Sequence, residues 1–383
     1  MNCDNSIDKG LGMRFRVYMQ FVSSSLIVLT NLLSTALGQT GVVVGINFTH
    51  PLQLSVADQD ASLARLKSAG VHVIRIGFYA PDADKGVAFI KRANAQGIKV
   101  LLTVHSQYPP NVPMRPYQPK EFPGEWSGPP LSYADAELSR EYFQQLLDKL
   151  DTNGVQLAGL ELENEINHPG SNPEFPLPGE GKNLGLNDFY QDPEGKQIAK
   201  GYLQYLKLLS VLQQVRNRSK FNQHTPLISA GLSPTGPAGP WTKKVDAANP
   251  NATIQFLRAN GLDKLVDGYG IHIYPSNDHP GDKSAAARRL QTLQQEDLAE
   301  CSATGKRCWV TEWGFANGSK RCPSDDKANI ELVQELTHDF RLISRQGILA
   351  GATYYTWTGD SQYDVYRCGA LTEPGRLALQ PIQ

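Results

Sequence analysis

Apolar residues along the chain concentrate in short runs, and a segment with helical spacing separates nearly every run from the next. The runs are Val42–Phe48, Val71–Phe78, Val100–His105, Leu157–Glu163, Leu227–Leu232, Val266–Ile273, Arg307–Trp313 and Gly351–Trp357. Nearly continuous apolar runs of this length are typical of parallel strands that are covered on both faces. The segments between them carry apolar residues three and four apart, which predicts helices at Asp58–Ala69, Asp82–Ala95, Tyr133–Leu150, Gln197–Val215, Asn251–Asn260, Ala285–Cys301 and Lys327–Arg345.

Strict alternation of strands and helices predicts an α/β fold built from repeated βαβ units. Eight repeats fit a closed (β/α)8 TIM barrel better than an open, doubly wound sheet. No GxGxxG motif follows the first strand, which further disfavours a dinucleotide-binding fold. We therefore expect one barrel, with its last helix barely present because few residues follow Cys368.

Three connections are much longer than a barrel needs. They cover Ser106–Leu131, Asn167–Gly195 and Ser233–Pro250, after the third, fourth and fifth predicted strands. All three follow the carboxyl ends of strands, which is the face where barrels place their functional sites. The loops therefore indicate a binding cleft on that face.

The first 38 residues differ from the rest of the chain. Arg14 and Arg16 precede an apolar stretch, Phe21–Leu37, that ends in the small-x-small pattern Ala36-Leu37-Gly38. Serine, threonine and asparagine residues dilute the stretch, so it is a poor membrane span. We expect residues 1–38 to be a cleaved signal peptide, with an uncleaved anchor as the alternative, and residues 39–383 to form a single catalytic domain that is secreted or periplasmic.

Four cysteines remain after the predicted cleavage: Cys301, Cys308, Cys322 and Cys368. An even number in an exported protein favours disulfides, and we favour 301–308 and 322–368 among the three possible pairings. The spacing is wrong for paired CxxC zinc knuckles. Glycosylation sequons occur at Asn47, Asn217, Asn251 and Asn317.

Charge excludes several classes of partner. The chain has 37 basic and 38 acidic side chains, a formal net charge of −1. There is neither the basic excess that nucleic acid requires nor a polybasic run for a lipid surface. A neutral carbohydrate fits this balance, and we expect a monomer.

Two glutamates stand where the predicted strands enter the cleft. The fourth strand ends in Glu163-Asn164-Glu165, and the seventh contains Thr311-Glu312-Trp313-Gly314. Cleavage of a glycosidic bond requires such a pair, one carboxylic acid to protonate the leaving oxygen and one carboxylate to attack the anomeric carbon. Either glutamate alone has a plain alternative role, as a structural ion pair at the rim.

The Asn164-Glu165 dipeptide and the Glu312 motif together resemble the clan A glycoside hydrolases, families 5 and 39 in particular. This resemblance covers the whole chain after the signal segment. It implies that Glu165 is the acid/base and Glu312 the nucleophile of a retaining enzyme that cleaves β-glycosidic bonds without a cofactor or metal ion. We expect burial and the Glu312 charge to raise the pKa of Glu165.

The resemblance also implies substrate-binding residues. Arg75 looks like the strand-two arginine that holds the nucleophile ionised. Asn164 would hydrogen-bond the sugar 2-hydroxyl. His105 matches a sugar-contacting position, although a lone histidine is as often a packed structural residue.

The predicted sixth and eighth strands supply three more candidates. His272 and Tyr274 resemble the pair that positions the nucleophile, with Tyr274 the better candidate. Trp357 matches the aromatic floor on which a sugar face packs, its alternative being core packing. In the loop after the third strand, aromatic side chains either line outer sugar subsites or pin the loop; they are Tyr108, Tyr117, Phe122 and Trp126.

Other functions remain open. A transglycosylase would use the same two glutamates, and a non-catalytic glycan-binding barrel would have the same fold. A metal-dependent hydrolase is less favoured, because the first strand lacks an HxH motif. The sequence does not choose the sugar or the linkage.

Overall fold

The barrel predicted from the sequence is confirmed. The computed structural model describes residues 41–116, 122, 127–234, 244–275, 283–317 and 327–382, so the predicted signal peptide lies outside the described residues. Eight parallel strands close into a barrel in the order β1-β8-β7-β6-β5-β4-β3-β2. They are β1 (Val43–Asn47), β2 (Val73–Phe78), β3 (Lys99–Val104), β4 (Gly159–Leu162), β5 (Leu227–Ile228), β6 (Gly268–Ile273), β7 (Arg307–Trp313) and β8 (Leu349–Tyr354).

Helices connect the strands and pack outside them. They are α1 (Val56–Ser68), α2 (Ala83–Ala95), α3 (Ala136–Thr152), α4 (Pro193–Arg216), α5 (Pro250–Ala259), α6 (Lys283–Thr292), α7 (Lys327–Ser344) and α8 (Glu373–Ala378), with short helices at Asp188–Gln191 and Ala299–Thr304. The segment predicted as one helix over Ala285–Cys301 is divided by a π-helical turn at Leu293–Asp297. The last helix is short, as expected.

Polar side chains fix where the long helices begin. Asp135 accepts hydrogen bonds from the first backbone amides of α3, and Asp192 does the same for α4. Ser55 caps α1 and Asn249 caps α5. Each cap satisfies an amide that has no partner within its helix. These caps hold the helices, and with them the loops, at set positions around the barrel.

The barrel interior has an apolar floor beneath a polar layer. Val73, Leu101, Ile228, Trp309 and Ala350 form the floor, a buried cluster separate from the main core between strands and helices. Because side chains alternate along a strand, residues two positions further on also point inward. On β2 and β3 these are the polar residues Arg75 and Thr103, and the buried Asn47 and Glu161 hydrogen-bond to Arg75 in the same layer.

Glycines make room for the largest residue of this floor. A Cβ on Gly351 would lie 2.5 Å from Cε3 of Trp309, and a Cβ on Gly268 would lie 2.8 Å from its Cδ1. The indole therefore fills the space that two neighbouring strands leave empty. The floor closes the barrel below the site, as dense packing in a small barrel requires.

The loops after β4 and β5 are joined by a clasp, defined here as residues 179–184, Glu194 and residues 244–248. Asn183–Leu184 pairs in parallel with Ala247–Ala248. The buried Asp246 carboxylate accepts hydrogen bonds from the backbone amides of Glu180 and Lys182, the latter at 2.6 Å. The two loops are thus one connected wall of the cleft.

A second carboxyl group lies beside Asp246. Burial and the Asp246 charge raise the pKa of Glu194 to about 7, against the opposing effect of Lys182. The Lys182 ammonium lies 3.4 Å from Glu194 and also contacts Glu180 and Asp192, so one cation serves several carboxylates. The clasp therefore holds a proton on Glu194 in the folded protein up to neutral pH.

Cysteine pairing follows the prediction where it is described. Cys301 and Cys308 form a disulfide with a Cα–Cα distance of 5.7 Å. Cys368 is also disulfide-bonded, while its predicted partner Cys322 lies outside the described residues. Among the helices of the described residues, none combines the length and apolar character of a membrane span.

The floor predicts a steric effect at Gly351. Gly351→Ala should lower the free energy of unfolding by about 1–3 kcal/mol, because the added methyl group overpacks against Trp309. Chemical denaturation measures the change. Gly185→Ala is the matched control, since the atom nearest to its Cβ would be Asp188 Oδ2 at 3.7 Å. In a Trp309→Leu background the cost should shrink; an unchanged cost would show that Trp309 is not the obstacle.

The clasp predicts a pH dependence of stability. An unfolded glutamate has a pKa of about 4.3, so between that value and about 7 the proton on Glu194 is bound only in the folded state. The stabilisation from this proton is complete at low pH and is lost as the pH rises through about 7. Glu194→Gln should remove this loss, measured as the difference in unfolding free energy from wild type between pH 5 and pH 8. Glu331→Gln, an exposed change on α7, is the control; a difference between wild type and Glu194→Gln that does not vary with pH would contradict the assignment.

Candidate active site

Arg75 is the centre of the polar layer at the carboxyl end of the barrel. The guanidinium is buried within β2 and donates to side chains from three other strands. Its Nη1 lies 2.5 Å from Glu312 Oε1 and 3.0 Å from Asn47 Oδ1, and its Nη2 lies 2.7 Å from Asn164 Oδ1. Burial alone would lower the pKa of Arg75, but the neighbouring carboxylates raise it above its ordinary value. The predicted contact between Arg75 and Glu312 is present.

A carboxylate that sequence reasoning did not select also binds this arginine. Glu161, on β4, has no exposed surface, and its Oε2 accepts from Arg75 Nε at 2.7 Å and from Thr103 Oγ1 at 2.8 Å. Its Oε1 accepts from the Gly231 backbone amide at 3.0 Å. A signal for it exists: a glutamate two residues before Glu163 in a fully buried strand must point inward with it.

Glu312 is held from two sides. Arg75 contacts one carboxylate oxygen, and the hydroxyl of Tyr274 donates to the other at 2.6 Å. The glutamate side chain is 12% exposed, so a small face remains open to the cleft. Tyr274 therefore lies where the sequence predicted it, against the carboxylate at the end of β7.

Glu165 lies opposite Glu312 and has an unusual backbone conformation. Its φ is 44°, and Glu163 two residues earlier has φ 61°. Non-glycine residues in this left-handed region carry strain that the surrounding structure must hold, and such strain concentrates at functional sites. The Glu165 amide donates to Gly231 O at 2.8 Å, and Asn164 forms a parallel bridge with Gly231. This turn aims the Glu165 side chain into the barrel mouth.

His272 lies between the two glutamates. Its Nδ1 is 2.9 Å from Glu165 Oε1 and 3.6 Å from Glu312 Oε2, so it belongs more closely to Glu165 than to the predicted nucleophile. The imidazole has no exposed surface, and its Nε2 is buried with no hydrogen-bond partner in the described part of the chain. Tyr274, two residues further along, is the one of the pair that holds Glu312.

The expected rise in the pKa of Glu165 is not observed. Burial does raise it, but the hydrogen bond and charge of His272 oppose burial and leave the pKa of Glu165 lowered. Burial alone would lower the pKa of His272, whereas the Glu312 and Glu165 carboxylates raise it. The prediction considered burial and the Glu312 charge and left out this histidine. The two groups therefore share a proton as a coupled pair, and each favours the charged form of the other.

One end of the Asn164 side-chain amide, its oxygen, already takes part in a hydrogen bond. Because its Oδ1 accepts from Arg75, its amide nitrogen is the end left to meet a ligand. A donor at this position suits the oxygen of a sugar hydroxyl. The predicted role of Asn164 is compatible with this orientation.

His105 is oriented by a third carboxylate at the end of β4. Its Nδ1 lies 3.0 Å from Glu163 Oε2, while Glu163 Oε1 accepts from the Ser106 amide at 2.6 Å. Burial would raise the pKa of Glu163, but the His105 contact lowers it below its ordinary value. The exposed Tyr79 ring stacks on His105 with centroids 4.3 Å apart. His105 thus sits at the edge of the cleft, 17% exposed, with a fixed ring orientation.

Trp357 does not provide an exposed sugar floor. Its exposure is 1%, and its ring stacks on Tyr366 with centroids 4.7 Å apart, so it packs in the core. Tyr355 instead faces the site: its ring meets Tyr274 edge-on at 6.1 Å, and Tyr363 at 5.6 Å. The expected exposure of Trp357 is wrong because β8 ends at Tyr354 and the following chain turns back into the core.

The aromatic residues of the loop after β3 are predicted either to line outer sugar subsites or to pin the loop, and two of the four are described. Phe122 is buried, which fits a pinning role, and Tyr108 packs partly against the core. Tyr117 and Trp126 lie outside the described residues. Arg115 fixes the same loop to the next one through the carbonyls of Pro169, Asn172 and Phe175.

One group in the described residues has ligand atoms close enough to hold a metal ion. Glu165, His272 and Glu312 each offer one atom, and these atoms lie within 4.8 Å of one another. Arg75 and Tyr274 already occupy both oxygens of Glu312. A cation there would compete with these hydrogen bonds and with the Arg75 charge, so the residues fit proton transfer better than metal binding.

Solved structures share this fold. The chain is similar to a hyperthermophilic endocellulase from the archaeon Pyrococcus horikoshii, with 15% identity over 88% of this chain and 92% of that one at a TM-score of 0.53. It is also similar to a fungal β-1,4-galactanase, with 15% identity over 88% and 93% of the two chains at a TM-score of 0.51. A family 39 glycoside hydrolase from the gut symbiont Bacteroides cellulosilyticus matches with 18% identity and a TM-score of 0.49, and the chain spans 63% of its length.

No protein-family model matches the sequence, and no curated protein matches it. At these identities the structural similarity establishes the fold alone. The barrel is therefore one that glycoside hydrolases use, while its chemistry must be argued from the site.

The shared proton predicts the behaviour of a His272 variant. His272→Asn places an amide near the position of Nδ1 but cannot carry a positive charge. Because burial remains and the cation is lost, the pKa of Glu165 should rise relative to wild type. Carbon-13 NMR of labelled glutamate carboxyls, assigned with Glu165→Gln, measures it. His224→Asn, a change at an exposed position, is the control. An unchanged or lower pKa of Glu165 in the His272→Asn variant would refute the shared-proton account.

Proposed function

We propose that the chain is a retaining glycoside hydrolase in which Glu312 is the nucleophile and Glu165 the acid/base. One observation carries the proposal: oxygen atoms of the two carboxylates lie within 4.8 Å of each other at the carboxyl ends of β4 and β7. Retaining enzymes hold their two carboxyl groups about 5–5.5 Å apart, whereas inverting enzymes leave room for a water molecule at about 6.5–9.5 Å.

The neighbours of each glutamate support the assignment of roles. Glu312 accepts hydrogen bonds from two donors, Arg75 and Tyr274, which fix the direction of its carboxylate. Glu165 lies within hydrogen-bond distance of His272, whose Nδ1 is 2.9 Å from its Oε1, so the two groups can pass a proton between them. A nucleophile needs the first environment, and a group that must both give and take a proton needs the second.

The first half-reaction forms a covalent intermediate. A Glu312 oxygen attacks the anomeric carbon as the bond from that carbon to the leaving oxygen breaks, and Glu165 delivers a proton to the leaving oxygen. The carboxyl that acts as acid must therefore hold the proton in the complex. A sugar that covers Glu165 and excludes water favours its neutral form, and His272 is the adjacent proton source.

The second half-reaction reverses these roles. Glu165, now a carboxylate, takes a proton from water as the water oxygen attacks the anomeric carbon, and Glu312 leaves with its charge restored. In this proposal the amide nitrogen of Asn164 donates to the sugar oxygen next to the reacting carbon, since its Oδ1 already accepts from Arg75. Two inversions at that carbon retain the configuration.

The substrate class follows from the cleft and from the neighbours. Two of the neighbours are an endocellulase and a β-1,4-galactanase, and an aromatic face at Tyr355 suits the apolar face of a sugar ring. The arginine at the base of the described site, Arg75, is already paired with Glu161 and Glu312. We therefore infer a neutral β-linked oligo- or polysaccharide as substrate.

We also propose that the enzyme is exported after removal of residues 1–38 and acts outside the cytoplasm as a monomer. The Cys301–Cys308 disulfide supports this location, because such bonds persist in oxidising compartments.

Azide rescue tests the two roles. Aryl β-glycosides with good leaving groups, in the gluco, galacto, manno and xylo series, first identify a substrate. Glu165→Ala should then form the covalent intermediate and stall, since no base activates water. Added azide needs no base and should restore turnover, giving a β-glycosyl azide of retained configuration, read by proton NMR. Glu312→Ala should lose the retaining reaction by several orders of magnitude.

Each alternative gives a different result. Retained-configuration azide product from Glu312→Ala rather than Glu165→Ala would reverse the roles, and inverted product from the wild type would end the retaining proposal. Full activity in excess EDTA is expected, because the steps above use no metal. Glu137→Ala, an exposed change on α3, is the control for handling and folding.

A further inference from the structure

We propose that Glu161 is a positioning residue that sets the charge balance on the nucleophile by sharing Arg75 with Glu312. The inference rests on the proposed retaining function. Arg75 lies between two carboxylates, with Nε 2.7 Å from Glu161 Oε2 and Nη1 2.5 Å from Glu312 Oε1. Glu161 has no exposed surface, so it does not touch the substrate, and Arg75 is the side chain that links it directly to Glu312.

The hydrogen bonds around Glu161 indicate whether its carboxyl group is ionised. Oε2 accepts from Arg75 and lies within hydrogen-bond distance of Thr103, and Oε1 accepts from the Gly231 amide. Guanidinium and backbone amide groups can only donate, so both carboxylate oxygens act as acceptors, which is the pattern of an ionised carboxylate. With no exposed surface, this charge is poorly screened by water.

One cation therefore faces two anions. Glu161 and Arg75 together are close to neutral, so Glu312 gains the direction of the Arg75 hydrogen bond without the full pull of an unpaired positive charge. Of the other carboxylates at this level, Glu165 contacts His272 and Glu163 contacts His105, and His272 Nδ1 also lies 3.6 Å from Glu312 Oε2. The charge on Glu161 is thus the one that offsets Arg75 from the side away from the substrate.

This offset matters because Glu312 changes charge during the reaction. It is an anion before attack and becomes a neutral ester in the intermediate, while the sugar carbon gains positive charge in the transition state. An uncompensated Arg75 would stabilise the free carboxylate over the ester and would repel the positive carbon. Loss of the Glu161 charge should therefore slow formation of the intermediate and leave its breakdown unchanged or faster.

The test separates the two half-reactions. An activated 2-deoxy-2-fluoro-β-glycoside slows both, so that inactivation reports formation of the intermediate and reactivation reports its breakdown. The probes are the 2,4-dinitrophenyl glucoside, galactoside, mannoside and xyloside, used in whichever series inactivates the wild type. Peptide mass spectrometry first locates the label on wild-type protein. Failure of every probe to label Glu312 would count against the proposed function itself, before any Glu161 variant is compared.

Glu161→Gln is the variant that removes the charge at nearly constant shape. The ratio of the inactivation rate constant to the reactivation rate constant should fall about ten-fold. The new amide has to place its nitrogen against Gly231 N–H or against Arg75, so some loss of stability is expected, and the ratio is informative because a general folding defect lowers both rates together. If the Glu161→Gln variant does not fold, Glu161→Asp withdraws the carboxylate by one methylene and should change the ratio in the same direction by less.

Thr103→Val is the matched control. It removes a hydrogen bond to the same Glu161 oxygen but leaves the charge, so the ratio should stay within about two-fold of wild type. Equal falls in both rate constants for the Glu161 variants, or the same ratio change in the Thr103→Val variant, would overturn the inference and leave Glu161 with a purely structural role.

Discussion

The buried charge of Arg75 is the constraint on which the site depends. A guanidinium inside a barrel is costly unless every donor finds a partner, and removing one partner of a buried ion pair is strongly destabilising. Here the partners come from β1, β4 and β7 and from the turn after β4, as Asn47, Glu161, Glu312 and Asn164. The same contacts that satisfy the arginine therefore place the proposed nucleophile and the proposed sugar-binding amide. Folding and site assembly are one process at this layer.

The apolar floor and the strained turn complement that arrangement from below and above. Trp309 closes the barrel beneath the polar layer, which keeps water from reaching it from the amino-terminal end. Above it, the Glu163–Glu165 turn holds two residues in the left-handed region, fixed by hydrogen bonds to Val104 and Gly231. A rigid scaffold supplies the energy that this strain costs.

The sequence predicted most of the fold because strand and helix periodicity are local properties. It placed the two glutamates, Arg75 and Tyr274 correctly relative to one another, since inward-pointing residues at strand ends must converge in a closed barrel. It failed where the outcome depends on packing across the barrel. Trp357 lies three residues past the end of β8 and turns into the core. The spacing along β4 indicates that Glu161 points inward, but its pairing with Arg75 and the His272–Glu165 contact depend on partners from distant strands.

Asn47 has a consequence for producing the protein. Its side-chain amide nitrogen is buried and lies within hydrogen-bond distance of the carbonyls of Thr311, Thr353 and Tyr354. The same asparagine begins an Asn-Phe-Thr sequon, which an oligosaccharyltransferase reads on the unfolded chain. A glycan attached there has no space in the closed barrel and replaces one of the two Nδ2 hydrogens that join β1 to its neighbours. In a eukaryotic secretory host, modification at this asparagine and folding of the first strand are mutually exclusive fates, so an expression host without that enzyme avoids the competition.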